Sequence, residues 1–178
     1  LMQERGKDSG SLLEAIRLLE ALLAKPVPAP AQQAEALYLK AETFGRIGQG
    51  QALLPLYARV IRDYPDSTWA DQSVARVLAR SQTAAGKKYE DQAQALLLVS
   101  EQYRSELPKL ALGALNRAGD VYFGADEWVK AKDAYRQTLD AREGTRAATQ
   151  TAAARMALAE ILYREERFHQ ALDLYETE

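Results

Sequence analysis

The sequence predicts an all-α protein built from repeated helix hairpins. Small or apolar residues recur in register at intervals of 38 to 40 residues, and glycine and proline residues divide the chain at matching intervals. No segment alternates polar and apolar residues with the period of two that a half-buried strand shows. Such a pattern is typical of stacked helical repeats. We therefore expect a right-handed superhelical stack of antiparallel helix hairpins.

Two columns of residues mark the two helices of each unit. In the second helix a small or apolar residue is followed four positions later, one turn along the same face, by a larger one. These pairs are Ala15 and Leu19, Leu53 and Tyr57, Ala93 and Leu97, Ala131 and Tyr135, and Ala171 and Tyr175. The first-helix column consists of Ala41, Ser81, Gly119 and Ala159. Small residues let neighbouring helices approach closely, so both columns are expected to be packed.

Glycine and proline predict where the helices break, because glycine ends a helix at little cost and proline cannot continue one. The expected breaks are 26–30, 48–50, 64–67, Gly86, Pro108, Gly124 and Gly144. The expected helices are 9–24, 31–47, 51–63, 67–85, 88–106, 109–123, 126–142, 147–165 and 167–177. Residues 1–30 would hold the second helix of a partial repeat and a proline-rich connection. Residues 31–178 would form four hairpins, at 31–66, 67–108, 109–143 and 144–178.

Composition narrows the possible functions. The 178 residues include 47% hydrophobic residues, which is enough for one soluble domain with a core. A net charge of −2 provides no general attraction to nucleic acid. The longest apolar runs fall far below the roughly 20 residues of a membrane helix, so we expect no membrane insertion of this segment.

The motifs that commonly carry catalysis or bind cofactors are not found in the sequence. The chain has no cysteine and a single histidine, His169, so neither thiolate nor paired-histidine metal sites are expected. Glycines 45, 48 and 50 are not followed by the Gly-Lys-Ser/Thr of a phosphate-binding loop. We therefore expect a protein that is not an enzyme and uses no cofactor or metal.

The third hairpin resembles the tetratricopeptide repeat, a helix pair of about 34 residues. It matches the pattern of that family at Leu115, Gly119, Tyr122, Ala131 and Tyr135, although Thr138 replaces the usual alanine. The last hairpin repeats Ala159, Ala171 and Tyr175, and the first has Ala41, Phe44, Tyr57 and Pro65. The longer period in this chain leaves armadillo-like helix pairs as an alternative.

Residues 57–67 also resemble repeats of bacterial envelope proteins, namely outer-membrane assembly lipoproteins and Tol-associated periplasmic proteins. This resemblance implies a bacterial source, and it slightly favours the periplasm or cell envelope over the cytoplasm. We expect the chain to be a fragment of a larger bacterial protein.

The tetratricopeptide resemblance implies a concave groove lined by the first helix of each hairpin. Carrying the family's groove positions over residue by residue predicts a partner-binding site of Tyr38, Glu42, Arg46, Leu78, Gln82, Asn116, Asp120, Phe123, Met156, Glu160, Tyr163 and Arg164. Such a groove would suit a segment with apolar anchors and some positive charge, although its aromatic residues could equally pack between helices. Glu42 and Asp120 argue against the carboxylate-binding clamp of some family members, because they would repel a carboxylate.

These residues predict a protein–protein interaction scaffold that binds a peptide segment or a partner protein. Two alternatives stay open at the level of sequence. The chain could associate with itself through its C-terminal repeat, or it could be an accessory recruitment domain of an enzyme encoded elsewhere in the parent chain.

Overall fold

The computed structural model describes residues 2–24, 29–141 and 148–176. Within these ranges the chain is helical and has no strand, which confirms the all-α prediction. The α-helices are α1 (Met2–Leu23), α2 (Pro30–Arg46), α3 (Leu53–Asp63), α4 (Thr68–Ala85), α5 (Tyr89–Tyr103), α6 (Pro108–Gly124), α7 (Trp128–Asp140), α8 (Ala148–Arg164) and α9 (Phe168–Glu176). A short 3-10 turn, Gly50–Ala52, leads into α3.

The helices belong to two compact units, Leu1–Val77 and Leu78–Glu178, whose boundary falls within α4. In the first unit α1 packs against α2, and α2 packs against α3. In the second unit α5 packs against α6, α6 against α7, α7 against α8, and α8 against α9. Helix α6 also contacts α8, so the first helices of two successive hairpins touch.

Proline and glycine set several of the helix ends as predicted. Pro30 and Pro108 are the first residues of α2 and α6, a position where the missing N–H group costs no helical hydrogen bond. Gly48 and Gly86 lie just beyond α2 and α4 with φ of +79° and +93°, a left-handed conformation that glycine adopts without steric cost. The break predicted at Gly144 and most of the one at 26–30 lie outside the described residues.

Two helix ends differ clearly from the predicted ones. Helix α1 begins at Met2 rather than at residue 9, because the polar residues that precede its apolar stripe are mostly good helix formers. Helix α5 ends at Tyr103 rather than at residue 106. Leu107 has a non-helical φ of −135° and ψ of 68°, because the proline that follows disfavours the helical conformation, so α5 cannot continue through this residue. The other described ends lie within two residues of the prediction.

A core cluster of the second unit forms where α7, α8 and α9 meet. Tyr135 and Ala131 of α7 pack with apolar side chains of α8 and with Ala171 of α9. Tyr57 is likewise buried in the first unit, as the repeat columns predict. Tyr175 was expected to be packed in the same way, and that prediction is wrong because its side chain is 59% exposed. The described part of the chain places no helix over that side of α9.

Candidate partner-binding site

The first unit contains three of the predicted groove residues, and one of them belongs to the core. Tyr38 is buried, with its ring centroid 5.1 Å from that of Trp69 and 5.9 Å from that of Tyr57. Its hydroxyl accepts a hydrogen bond of 3.3 Å from Arg76 Nε. Tyr38 therefore packs in the core at a predicted groove position, whereas Arg46 is exposed.

Glu42, the third of these residues, is held by groups of its own unit. The Tyr57 hydroxyl donates a 2.5 Å hydrogen bond to Glu42 Oε1, and Arg76 Nε lies 3.0 Å from the same oxygen. Burial, together with the neighbouring Glu42 carboxylate, raises the pKa of Tyr57 above its ordinary value. The negative charge of Glu42 is thus balanced by an arginine within the unit.

Two predicted groove residues of the second unit, Leu78 and Asn116, are also buried. Asn116 Nδ2 donates a 2.5 Å hydrogen bond to the backbone oxygen of Gln150, which ties α6 to the first turns of α8. Asn116 Oδ1 and Gln150 Oε1 are buried and have no hydrogen-bond partner among the described residues. The buried position of Asn116 makes it a link between helices rather than a residue facing a partner.

Gln82 and Asp120 share one arginine on the surface of the second unit. Arg117 Nε donates a 2.9 Å hydrogen bond to Gln82 Oε1, and Arg117 Nη1 lies 3.7 Å from Asp120 Oδ2. The Tyr135 hydroxyl also donates to Asp120 Oδ1, at 2.9 Å. Burial and the nearby Asp120 carboxylate raise the pKa of Tyr135.

The tyrosine–carboxylate contact therefore recurs in both units with the same spacing. Tyr57 follows Glu42 by 15 residues, and Tyr135 follows Asp120 by 15 residues. Glu160 is instead bound by Arg164, whose Nε lies 2.7 Å from Glu160 Oε1. Because each carboxylate of the predicted column has an arginine beside it, the column offers little attraction to a positively charged partner.

The remaining predicted residues lie at the C-terminal end of α6 and along the second half of α8. The Arg164 guanidinium lies over the ring of Phe123, 5.0 Å from its centroid, while its Nε binds Glu160. Phe123 is half-buried, and the exposed face of its ring makes a cation–π contact with the guanidinium. This arrangement fixes Arg164 between two neighbours and leaves it 49% exposed to solvent.

Large apolar side chains adjoin this ion pair. Met156 and Tyr163, two turns apart on α8, are 63% and 61% exposed. The ring of Tyr163 meets that of Phe168 edge to face, with 5.3 Å between centroids. We call the set of Phe123, Met156, Glu160, Tyr163, Arg164 and Phe168 the α8 surface. Five of these residues were predicted from the sequence.

Phe168 was missed, because the groove positions considered in the sequence all lie on the first helix of a hairpin. Phe168 is the first residue of the second helix, α9, and a tight turn brings it back beside Tyr163. Glu166 adopts a positive φ of 62° in that turn. The sequence did contain a signal for Phe168. This aromatic residue follows the end of the preceding helix by only a few residues, so it must lie close to the last turn of that helix.

A cavity of about 380 Å³ lies between α5, α6 and α7 and was not predicted either. Pro108, Ala111, Leu112 and Leu115 supply apolar walls, while Ser100, Arg104, Gln137 and Asp140 supply polar ones. Its volume is at the lower end of the range for small-molecule pockets. Arg104 and Asp140 contribute opposite charges, so the lining has no strong preference for a cation or an anion.

The described ranges also bear on metal binding and on membrane insertion. They contain no group of three or more histidine, aspartate or glutamate side chains placed to hold a metal ion. No helix within them combines the length and the apolar character needed to cross a bilayer. A scan against protein-family models and searches of curated proteins and of solved structures found no match to this chain.

Proposed function

We propose that this chain is a tetratricopeptide-like scaffold that binds a segment of a partner protein on the α8 surface. The hairpin columns support the family assignment, as does the contact between α6 and α8, because stacked hairpins bring their first helices together. The resemblance of residues 57–67 to envelope repeats supports a location in the bacterial cell envelope.

The observation that carries the proposal is the exposure of Met156 and Tyr163 beside a fixed arginine. Neither side chain is needed to fill the core, which the other face of α8 supplies through Ala154, Leu158 and Ile161. Tyrosine and arginine are among the residues that contribute most to binding when a partner covers them. The α8 surface therefore has the composition of a binding site rather than that of a solvated helix face.

The contacts within the α8 surface reduce the entropy that binding would cost. Arg164 is already oriented by Phe123 and Glu160, and Tyr163 is already oriented by Phe168. Side chains that are ordered before binding lose less conformational freedom when a partner arrives. The most suitable partner is a segment with apolar anchors for Met156 and Tyr163 and no large net charge.

The proposal can be tested by capture from a lysate of the source organism with matched variants. Met156→Ala and Tyr163→Ala each remove an exposed apolar side chain of the α8 surface. Leu98→Ala is the control, because Leu98 is 55% exposed but lies on α5. We expect wild type and Leu98→Ala to retain the same protein and each α8-surface variant to lose most of it, a change of about tenfold or more.

Circular dichroism spectra of all four proteins should coincide, which would show that lost capture is not caused by unfolding. Capture that is equal for wild type and for both α8-surface variants would refute the proposal. Equal loss from Leu98→Ala would also refute it, because it would show a nonspecific requirement for apolar surface.

A further inference from the structure

The cavity between α5, α6 and α7 has an apolar floor and a charged mouth. Ala111, Leu112 and Leu115 of α6 line it and are only 3 to 4% exposed, so they form its floor. Arg104, which follows the end of α5, and Asp140, the last residue of α7, line it from exposed positions. A ligand with an apolar part can therefore bury that part while its polar end stays at the mouth.

A small residue on α5 contributes to the open space. Ser100, which lines the cavity, follows Ala93 by seven residues, and the residue at the same distance from Leu53 in the first unit is Val60. Both Ser100 and Val60 are buried, at 3% and 0% exposure. Because serine is smaller than valine, Ser100 fills less of the interior than its counterpart in the first unit.

The two charged side chains at the mouth are not paired with each other. Among the described residues, neither the Arg104 nor the Asp140 side chain forms a hydrogen bond or an ion pair. Elsewhere in the second unit opposite charges meet directly, as Arg164 and Glu160 do. A ligand that carries both a negative and a positive group can pair with Arg104 and Asp140 at the same time.

The helix ends at the cavity favour one orientation of such a ligand. A helix carries partial positive charge at its N-terminus and partial negative charge at its C-terminus. Pro108 begins α6 and Asp140 ends α7, and both residues line the cavity. Helix α5 also ends there, but the full charge of Arg104 outweighs its partial negative charge. The negative group of the ligand therefore belongs beside Arg104 and the start of α6, and the positive group beside Asp140.

We propose that this cavity binds a free α-amino acid with an apolar side chain. Its carboxylate pairs with Arg104, its ammonium group pairs with Asp140, and its side chain lies on Leu112 and Leu115. A free amino acid carries both charges on one carbon atom, whereas either terminus of a protein chain carries only one of them. The cavity volume of about 380 Å³ restricts the ligand to a small molecule.

A series of small ligands tests each part of the proposal by isothermal titration calorimetry on the whole chain. L-leucine and L-phenylalanine carry all three features, while glycine lacks the apolar side chain, 4-methylpentanoate lacks the ammonium group and 3-methylbutylamine lacks the carboxylate. We expect the better of the two amino acids to bind at least about tenfold more tightly than each incomplete ligand. The proposal fails if neither amino acid binds at about 10 mM, or if any incomplete ligand binds as tightly.

Matched variants test whether Arg104 and Asp140 hold the ligand. Arg104→Gln and Asp140→Asn should each weaken binding of the amino acid by about threefold or more. The controls Arg136→Gln and Asp133→Asn remove the same charges from exposed positions of α7 outside the cavity lining, and they should bind as wild type does. Unchanged binding by Arg104→Gln and Asp140→Asn, or equal losses in the controls, would overturn the proposal.

This inference does not rest on the proposed function, because no residue of the cavity lining belongs to the α8 surface. Met156→Ala should therefore bind the amino acid as wild type does, although it loses partner capture. Arg104→Gln should show the reverse behaviour. Loss of amino acid binding in Met156→Ala would contradict the assignment of the ligand to this cavity.

Discussion

Gly119 lies where α6 comes closest to Tyr135 of α7, and this contact permits a quantitative prediction. A Cβ atom at position 119 would lie 2.5 Å from Tyr135 Cε1, 2.8 Å from Cζ and 2.9 Å from Cδ1. The ring has little room to retreat, because Tyr135 is buried and its hydroxyl is bonded to Asp120. In the variant Gly119→Ala, either the ring or the helix must therefore move.

Two opposing terms decide how much stability this variant loses. Overpacking of a filled core costs about 1 to 3 kcal/mol. Replacing glycine by alanine inside a helix returns about 1 kcal/mol. Gly119→Ala should therefore lower the free energy of unfolding by about 0 to 2 kcal/mol. Gly124→Ala is the control on the same helix, because a Cβ there has no atom within 4 Å and only the gain in helix propensity remains.

Urea denaturation followed by circular dichroism measures the free energy of unfolding of each variant. The dependence of that free energy on urea concentration should be the same for all variants. We expect Gly119→Ala to be less stable than Gly124→Ala by about 1 to 3 kcal/mol. In a Tyr135→Leu background, which lacks ring atoms Cε1 and Cζ, Gly119→Ala should no longer destabilise the protein. Equal stability of the two alanine variants, or an unchanged effect in the leucine background, would show that the close approach does not limit packing.

Three further predictions concern stability. Tyr135→Ala should lower the free energy of unfolding by about 3 to 5 kcal/mol, because it empties a core position. Tyr163→Ala should lower it by less than about 1 kcal/mol. Thermal and urea unfolding of both variants measure these losses. The raised pKa values of Tyr57 and Tyr135 show that the folded state favours their neutral forms. Their contribution to the free energy of unfolding is therefore fully present below the ordinary tyrosine pKa of 10.0, and it declines as pH rises above that value. Unfolding measured from pH 8 to about 11 should show this loss, and a variant with phenylalanine at both positions should show less of it. The 2.5 Å hydrogen bond from Lys132 lowers the pKa of Glu165. The ionised Glu165 therefore adds to the free energy of unfolding above the ordinary glutamate pKa, and this stabilisation is lost as pH falls through the lowered pKa of the folded state. Glu165→Gln should therefore flatten the acid side of the stability profile, and an unchanged acid side would contradict this assignment.

Much of the fold was predictable because helix ends depend on local chemistry. Pro108 and Gly86 act through their own backbone geometry, whatever lies around them, and the described structure places helix ends at both. The repeat columns likewise placed Gly119 and Tyr135 at packed positions, and both residues are buried. Their contact with each other is a finding of the structure.

The candidate site was predictable only in part. The sequence alone identified a column of carboxylates and a column of tyrosines, and it also placed Phe123, Tyr163 and Arg164 at groove positions. It did not show that tyrosine hydroxyls bind the carboxylates Glu42 and Asp120, because that contact joins two helices of a hairpin. The ion pair of Glu42 with Arg76 connects α2 with α4, so it too depends on tertiary packing.

The sequence by itself determined the helical class, the positions of most turns and the residues that face one side of each helix. Only the tertiary structure decided which of those faces are covered. Asn116 and Tyr38 occupy predicted groove positions and are buried, whereas Tyr175 occupies a predicted core position and is exposed. The physical reason is that periodicity specifies the direction of a side chain relative to its own helix, while burial depends on whether another helix lies in that direction.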